Sequence, residues 1–269
     1  MKRFSFLVVL VVCLVFLAKT SGWAHFQLLI PSQEIITAEG DRTVDFEILF
    51  THPMEGGPIM EMAMPKAFGV LVRGEKIDLT DTLQPVTVPS YPCQDEGPST
   101  TGYRAQYTFK RPGDHVFFLV PQPYFEPVEE KFIQQLTKVV VNAFQAEVGW
   151  DEPVGLPVEI VPLVRPYGLF AGNLFQGKVL INGKPAPGIE VEVEYYNRDC
   201  RIKVEGPFIT QVIKTDENGI FSYALPWAGW WGFSALATGG SLKKNGQDYP
   251  VELDAVIWVR AHPRPEGVR

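Results

Sequence analysis

The chain has 269 residues, 46% of them hydrophobic, with 24 Gly and 23 Pro. That is a globular composition rich in turns and long enough for two domains, each able to bury its own core. A net charge of -7, a pI near 5.2 and no basic cluster beyond residue 24 argue against nucleic acid as a partner.

The first 24 residues have the three regions of a secretory signal. Lys2 and Arg3 precede an apolar run from Phe6 to Ala18, and Lys19-Thr20-Ser21 forms a polar step. The run is too short to span a bilayer as a helix. Gly22-x-Ala24 supplies the small residues a signal peptidase requires, so cleavage after Ala24 is expected, with His25 as the new terminus of an exported protein. A terminal histidine has an α-amine that titrates near pH 8, about 2.5 units below a lysine. Amine and near ring nitrogen close a chelate around one ion, and nitrogen donors of this kind suit nickel, copper and zinc rather than magnesium or calcium. The plain alternative is an accident of a protease indifferent to the residue after its cut.

From Phe26 onward, short β-branched and aromatic runs alternate with turn residues. Phe26–Ile30 reads as a strand, and Asp41–Phe50 as another, with Val44, Phe46, Ile48 and Phe50 on one face. Ala67–Val72 and Lys76–Leu79 form an expected hairpin about Arg73-Gly74-Glu75-Lys76. Gly102–Lys110 and His115–Val120 flank a turn at Arg111 to Asp114. Between the strands lies the loop Thr51-His52-Pro53-Met54-Glu55-Gly56-Gly57-Pro58, then Met60-Glu61-Met62-Ala63-Met64. Because the loop begins where a strand ends, His52 is presented at one rim. Proline and the paired glycines fix the turn and let backbone approach a bound group closely. His52 and Glu55 are candidate metal ligands, with the methionines as further donors or, more plainly, as apolar filler. His115, inside a strand, reads as structural, and His262 as part of an unordered Pro-rich tail.

Pro121 to Asp151 is ambiguous. Phe132, Ile133, Leu136, Val140 and Phe144 fit a helical face, whereas Lys138-Val139-Val140-Val141 fits a strand, which is the reading adopted. Glu126, Glu129 and Glu130 form an acidic cluster near Tyr124, most simply a solvated face, with metal contact open to one of them. A boundary is expected near Pro166. Beyond it, Gln176–Ile181, the Asn182-Gly183 turn and the alternating Ile189–Tyr196 read as a hairpin. Ile220–Ala224, the aromatic Trp227–Phe233 and Val251–Val259 follow. This half contains no catalytic cluster. Cys93 and Cys200 pair in an oxidising compartment or stay separate thiols in different domains. The fold expected is therefore all-β: two β-sandwich domains of immunoglobulin-like type, with room for one short helix in the first. The segments are 1–24 signal, 25–165, 166–262, and a disordered tail 263–269.

Gly177-Lys178-Val179, Asn182-Gly183-Lys184-Pro185 and Thr215-Asp216-Glu217-Asn218-Gly219-Ile220-Phe221 resemble transthyretin-like, carboxypeptidase-regulatory sandwiches. The mature chain as a whole resembles the DUF4198 family, including periplasmic proteins associated with nickel uptake. The matching pieces are Ala24-His25-Phe26, the His52 loop, Pro123 to Pro127, Gly149-Trp150-Asp151, Glu159 to Pro166 and Ala228 to Phe233. The resemblance implies a transition-metal ligand, nickel with cobalt or copper as alternatives, and membrane-embedded metal transporter components as partners. It carries over His25 and His52 as ligands. It also implies histidine where this chain has Gln135, so one ligand would be missing here.

Three functions follow as expectations. The leading one is a non-enzymatic periplasmic protein that captures nickel or cobalt through His25, His52 and Glu55 or a methionine, and delivers it to a transporter. A copper-dependent oxidase could use the same terminal histidine. A carbohydrate or adhesion module would instead expose Trp227, Trp230 and Trp231, whose alternation points to the core.

Overall fold

The computed structural model describes residues 25–94 and 97–267, so the leader and its cleavage site lie outside the described residues. Strands dominate, and the chain is all-β as expected. Among the described residues the helical pieces are single 3-10 turns, Thr80–Thr82 in the first half and Gly206–Phe208 in the second.

The first half begins with the two-residue strands β1 (Phe26–Gln27), β2 (Ile30–Pro31) and β3 (Ile35–Ile36). Phe26–Ile30 is thus not one strand: β1 pairs with a different sheet from β2, and the break falls at Leu28 and Leu29, both fully buried. Next come β4 (Thr43–Ile48), β5 (Phe50–Thr51) and β6 (Ile59–Met60). The hairpin of β7 (Ala67–Val72) and β8 (Glu75–Asp78) turns on Arg73 and Gly74. Both have positive φ, as a two-residue turn matched to strand twist requires. β9 (Gln84–Pro89), β10 (Ser99–Thr108), β11 (Gly113–Val120), β12 (Tyr124–Glu126) and β13 (Lys131–Ala143) complete this half.

The second half contains β14 (Val158–Pro162), β15 (Leu169–Phe170), β16 (Leu174–Ile181), β17 (Lys184–Pro185) and β18 (Glu190–Tyr195). It continues with β19 (Gln211–Lys214), β20 (Ile220–Ala224), β21 (Gly229–Ala235), β22 (Thr238–Lys244) and β23 (Gln247–His262). The Asn182-Gly183 turn joins β16 to the short β17; β18 does not return along β16 but crosses to another sheet. The expected hairpin is corrected accordingly: Pro185 to Gly188 carries the chain across the sandwich.

One sheet, in the order β19-β18-β21-β23-β13-β11-β7-β8, runs through both halves. Its centre is the parallel pair β13–β23, in register from Phe132↔Val251 to Val139↔Trp258. Successive side chains of β23 serve opposite faces. Val256 and Trp258 join the core beneath Phe26, Phe46 and Phe117, whereas Ile257 and Val259 join that of Ile160, Phe175 and Phe233. β13 is likewise buried on both faces: Val139 and Val141 pack in the first core, Val140 with Leu71, Val116 and Tyr167. A strand covered on both sides loses its apolar alternation, which is why its sequence fits a helix as well.

Beneath β13, Lys138 Nζ meets Glu159 Oε1 at 2.6 Å in a fully buried ion pair. Glu159 also accepts the N–H groups of Val154, Gly155 and Leu156. The carboxylate thus fixes the loop that leads into the second half.

Candidate metal centre

β1 and β5 are antiparallel, with Phe26 opposite Thr51 and Gln27 opposite Phe50. Continued by one residue, this register sets His25 across from His52. The two imidazoles are 4.4 Å apart between ring centres, tilted by 51°. They are 7% and 4% exposed, on the edge of the core. Phe50 stacks on His25 at 5.4 Å and Tyr124 lies 6.1 Å away. Glu126 Oε2 stands 3.2 Å from His25 Nε2. A cavity of about 150 Å³ opens alongside, lined by Gln27, Phe50, Met62, Tyr124 and Gln135 among others.

A two-residue strand does not hold itself in place, so the backbone of β1 is fixed by side chains. Gln135 of β13 accepts the Gln27 N–H on Oε1 at 2.6 Å and donates from Nε2 to the His25 carbonyl at 2.6 Å. On the same strand, the Gln27 carbonyl accepts Trp258 Nε1–H at 2.9 Å. Gln135, the position the family resemblance gave to histidine, is therefore a strut for the His25 backbone.

The His52 loop is held from the second half. Met54 N–H donates to Glu194 Oε2 at 3.1 Å. Asn197 donates its N–H to the Pro53 carbonyl and its Nδ2 to that of Met54. Cys93 and Cys200, 107 positions apart in the sequence, form a disulfide that closes over the loop. The pairing left open by the sequence is realised because both cysteines flank Gly56. At Gly56, with φ +76°, a Cβ would lie 2.4 Å from Cys200 Sγ and 3.0 Å from Cys93 Sγ. The glycine expected to admit a bound group admits the disulfide instead.

The other predicted residues are placed as follows. Glu55 is exposed on the outside of the turn, partly desolvated so that its pKa is raised. Of the acidic trio, Glu126 meets His25, Glu129 pairs with Lys131, and Glu130 is exposed. Met54, Met60 and Met62 are buried, the last two in the first core, and Met64 is exposed. Among the described residues, no three His, Cys, Asp or Glu side chains gather as a metal-holding group. His115 is structural: it is fully buried among Tyr107, Phe109 and Phe117, with Nδ1 3.1 Å from the Gly113 carbonyl. Burial lowers its pKa to about 4. His262 is not unordered: it ends β23 and pairs with Glu34, which also holds Arg260 at 3.1 Å. Trp231 is buried in the second core, and Trp227 and Trp230 are half-buried.

Sequence reasoning missed the carboxylates on the far side of this site. Glu194 of β18 holds the His52 loop through Met54, Asp254 of β23 meets Gln135, and Glu192 is two residues before Glu194 on β18, on the same face by alternation. Burial pushes Glu192 up to about 7, helped by the nearby Glu252 carboxylate, and Glu194 up to about 8. Asp254, which accepts Gln135 Nε2 at 3.2 Å, is also raised by burial, then by Glu252. In Glu190-Val191-Glu192-Val193-Glu194 the alternation identifies the two faces, but a glutamate face carries no sign that another half of the chain will cover it.

The family model described as "Domain of unknown function (DUF4198)" matches residues 22–239. No curated protein matches the chain. Among solved structures it is similar to dimeric latent PorU from Porphyromonas gingivalis, at 12% identity over 92% of this chain and 21% of that one, TM-score 0.24. It is similar also to a putative carbohydrate binding protein from Bacteroides uniformis, at 10% identity over 88% of this chain and 97% of that one, TM-score 0.23. The chain spans about a fifth of the length of PorU. Likeness at such TM-scores carries no argument about function.

Proposed function

We propose that this chain, which belongs to the DUF4198 family, is an exported periplasmic protein that captures nickel, or cobalt, and delivers it to a membrane-embedded metal transporter. The observation that carries the reading is the β1–β5 register, which sets His25 opposite His52 with ring centres 4.4 Å apart. Cleavage after Ala24 adds the α-amine of His25 as a third nitrogen. Amine and Nδ1 of one residue close a six-membered chelate ring, and the His52 imidazole supplies the donor from the facing strand. Nitrogen donors favour late first-row divalent ions over magnesium or calcium. Three donors leave coordination positions open, which suits a cargo that must be handed on better than a closed structural site does.

The reading is of a binding protein rather than an enzyme. Calorimetric titration of nickel, cobalt and copper into four proteins tests it: the chain starting at His25, the same chain with one residue added before His25, His52→Ala, and the combination. Extension and His52→Ala should weaken binding by comparable amounts, with the combination little worse, because ligands of one ion act as a unit. Equal affinity in all four defeats the reading.

A further inference from the structure

Building on this reading, we infer that Glu126 is a positioning residue that holds the His25 imidazole as its Nε2–H tautomer and so directs the Nδ1 lone pair to the α-amine side. A neutral imidazole has one N–H and one lone pair, and the partner of one nitrogen decides the role of the other. Only Nδ1 closes a six-membered ring with the amine of the same residue; a ring through Nε2 would be larger and strained. The chelating form of His25 is therefore the one whose proton sits on Nε2, the atom that faces Glu126 Oε2 at 3.2 Å.

The carboxylate is itself placed for this task. Its Oε1 accepts the Val128 N–H at 2.9 Å, which turns Oε2 toward the histidine. Lys131, opposite Glu126 in the β12–β13 pair, is engaged by Glu129 and by Glu252 at 2.7 Å. β12 is pinned through Phe125, which packs on Phe132 at 5.1 Å and Tyr249 at 4.9 Å, with Lys244 Nζ 3.6 Å above its ring. On the other side the His25 ring is bounded by Phe50 and His52. A carboxylate that takes the outer N–H of a ligating histidine also raises the basicity of the inner nitrogen, and losing such a partner typically costs about 10- to 100-fold in metal affinity.

The test begins on the metal-free mature protein with ¹⁵N-labelled imidazoles, read by long-range proton–nitrogen correlation at a pH where His25 is neutral. The wild type should show a protonated Nε2 and a lone-pair Nδ1. Glu126→Ala should shift those signals toward a tautomer mixture, while Glu126→Gln should keep them by turning its one carbonyl to the histidine and leaving the exposed Val128 N–H to water. Nickel affinity should fall about 10- to 100-fold in Glu126→Ala and only a few-fold in Glu126→Gln. A protonated Nδ1 in the wild type overturns the inference, as does a Glu126→Ala protein unchanged in tautomer and affinity. A Glu126→Gln protein that keeps the wild-type tautomer and yet binds nickel as weakly as Glu126→Ala also overturns it, since Glu126 would then be a ligand itself. If Glu126→Ala does not fold, the wild-type tautomer and the Gln variant still decide. Absence of nickel binding in every protein would sink the proposed function, while the metal-free spectra would still judge Glu126.

Discussion

Replacing Glu194 with glutamine should flatten the dependence of stability on pH. Burial is the largest cause of its raised pKa; neighbouring Glu192 and Glu55 add to it, and bonds from Thr210 and Met54 oppose it. The folded carboxyl titrates at about 8 against 4.5 for an unperturbed one. Between those values the folded chain keeps a proton that the unfolded chain has lost, so stability falls as pH rises. Each unit is worth about 1.4 kcal/mol, so this group withdraws about 3 kcal/mol between pH 5 and pH 8. Glutamine leaves nothing to ionise. Its carbonyl can still accept the Met54 N–H, and its amide can donate to Thr210 Oγ1, whose hydroxyl now donates to Glu194. Urea denaturation of both proteins at pH 5, 6, 7 and 8, with the disulfide intact and a chelator present, should show wild-type stability falling by about 3 kcal/mol more than that of the variant. Equal slopes would refute the argument and mean that Glu194 is ionised in the folded protein.

Lys138→Met should destabilise the protein by about 3–5 kcal/mol, because it strands the buried Glu159 carboxylate. Adding Glu159→Gln should restore much of the loss, and denaturation midpoints in which the double variant is the worse of the two would count against this. Replacing Cys93 and Cys200 with serine should cost about 4 kcal/mol by freeing a loop of some hundred residues in the unfolded chain. The same change should weaken nickel binding, because the disulfide lies against Gly56 in the His52 loop; calorimetry showing unaltered affinity would separate the clamp from the site.

Strands with one wet face were legible from sequence. β4 alternates as written, with Val44, Phe46 and Ile48 inward. That His25 and His52 share a rim was also readable, since the Asp41–Phe50 run leads straight into the His52 loop. What sequence could not supply is what one half does to the other. β13 reads ambiguously because it is buried on both faces, and Glu194 reads as solvated because the loop that covers it lies 140 residues earlier. The strut Gln135 offers no local signal at all. The main-chain groups it braces belong to residues 25 and 27, 110 and 108 positions away.

The parallel pairing of β13 with β23 also sets the order in which the chain can acquire its structure. Gln135 finds Asp254 across 119 residues, and closing so long a loop lowers the chain's entropy before any contact offsets the loss. Until residues 251–258 have been synthesised, β13 presents an open edge containing Val139, Val140 and Val141, the kind of strand on which other chains add. The earlier strands can form their hairpins during synthesis, but the middle of the sheet must wait. A chain stopped before Gln247 would therefore keep most of its hairpins and yet be the species most prone to aggregate.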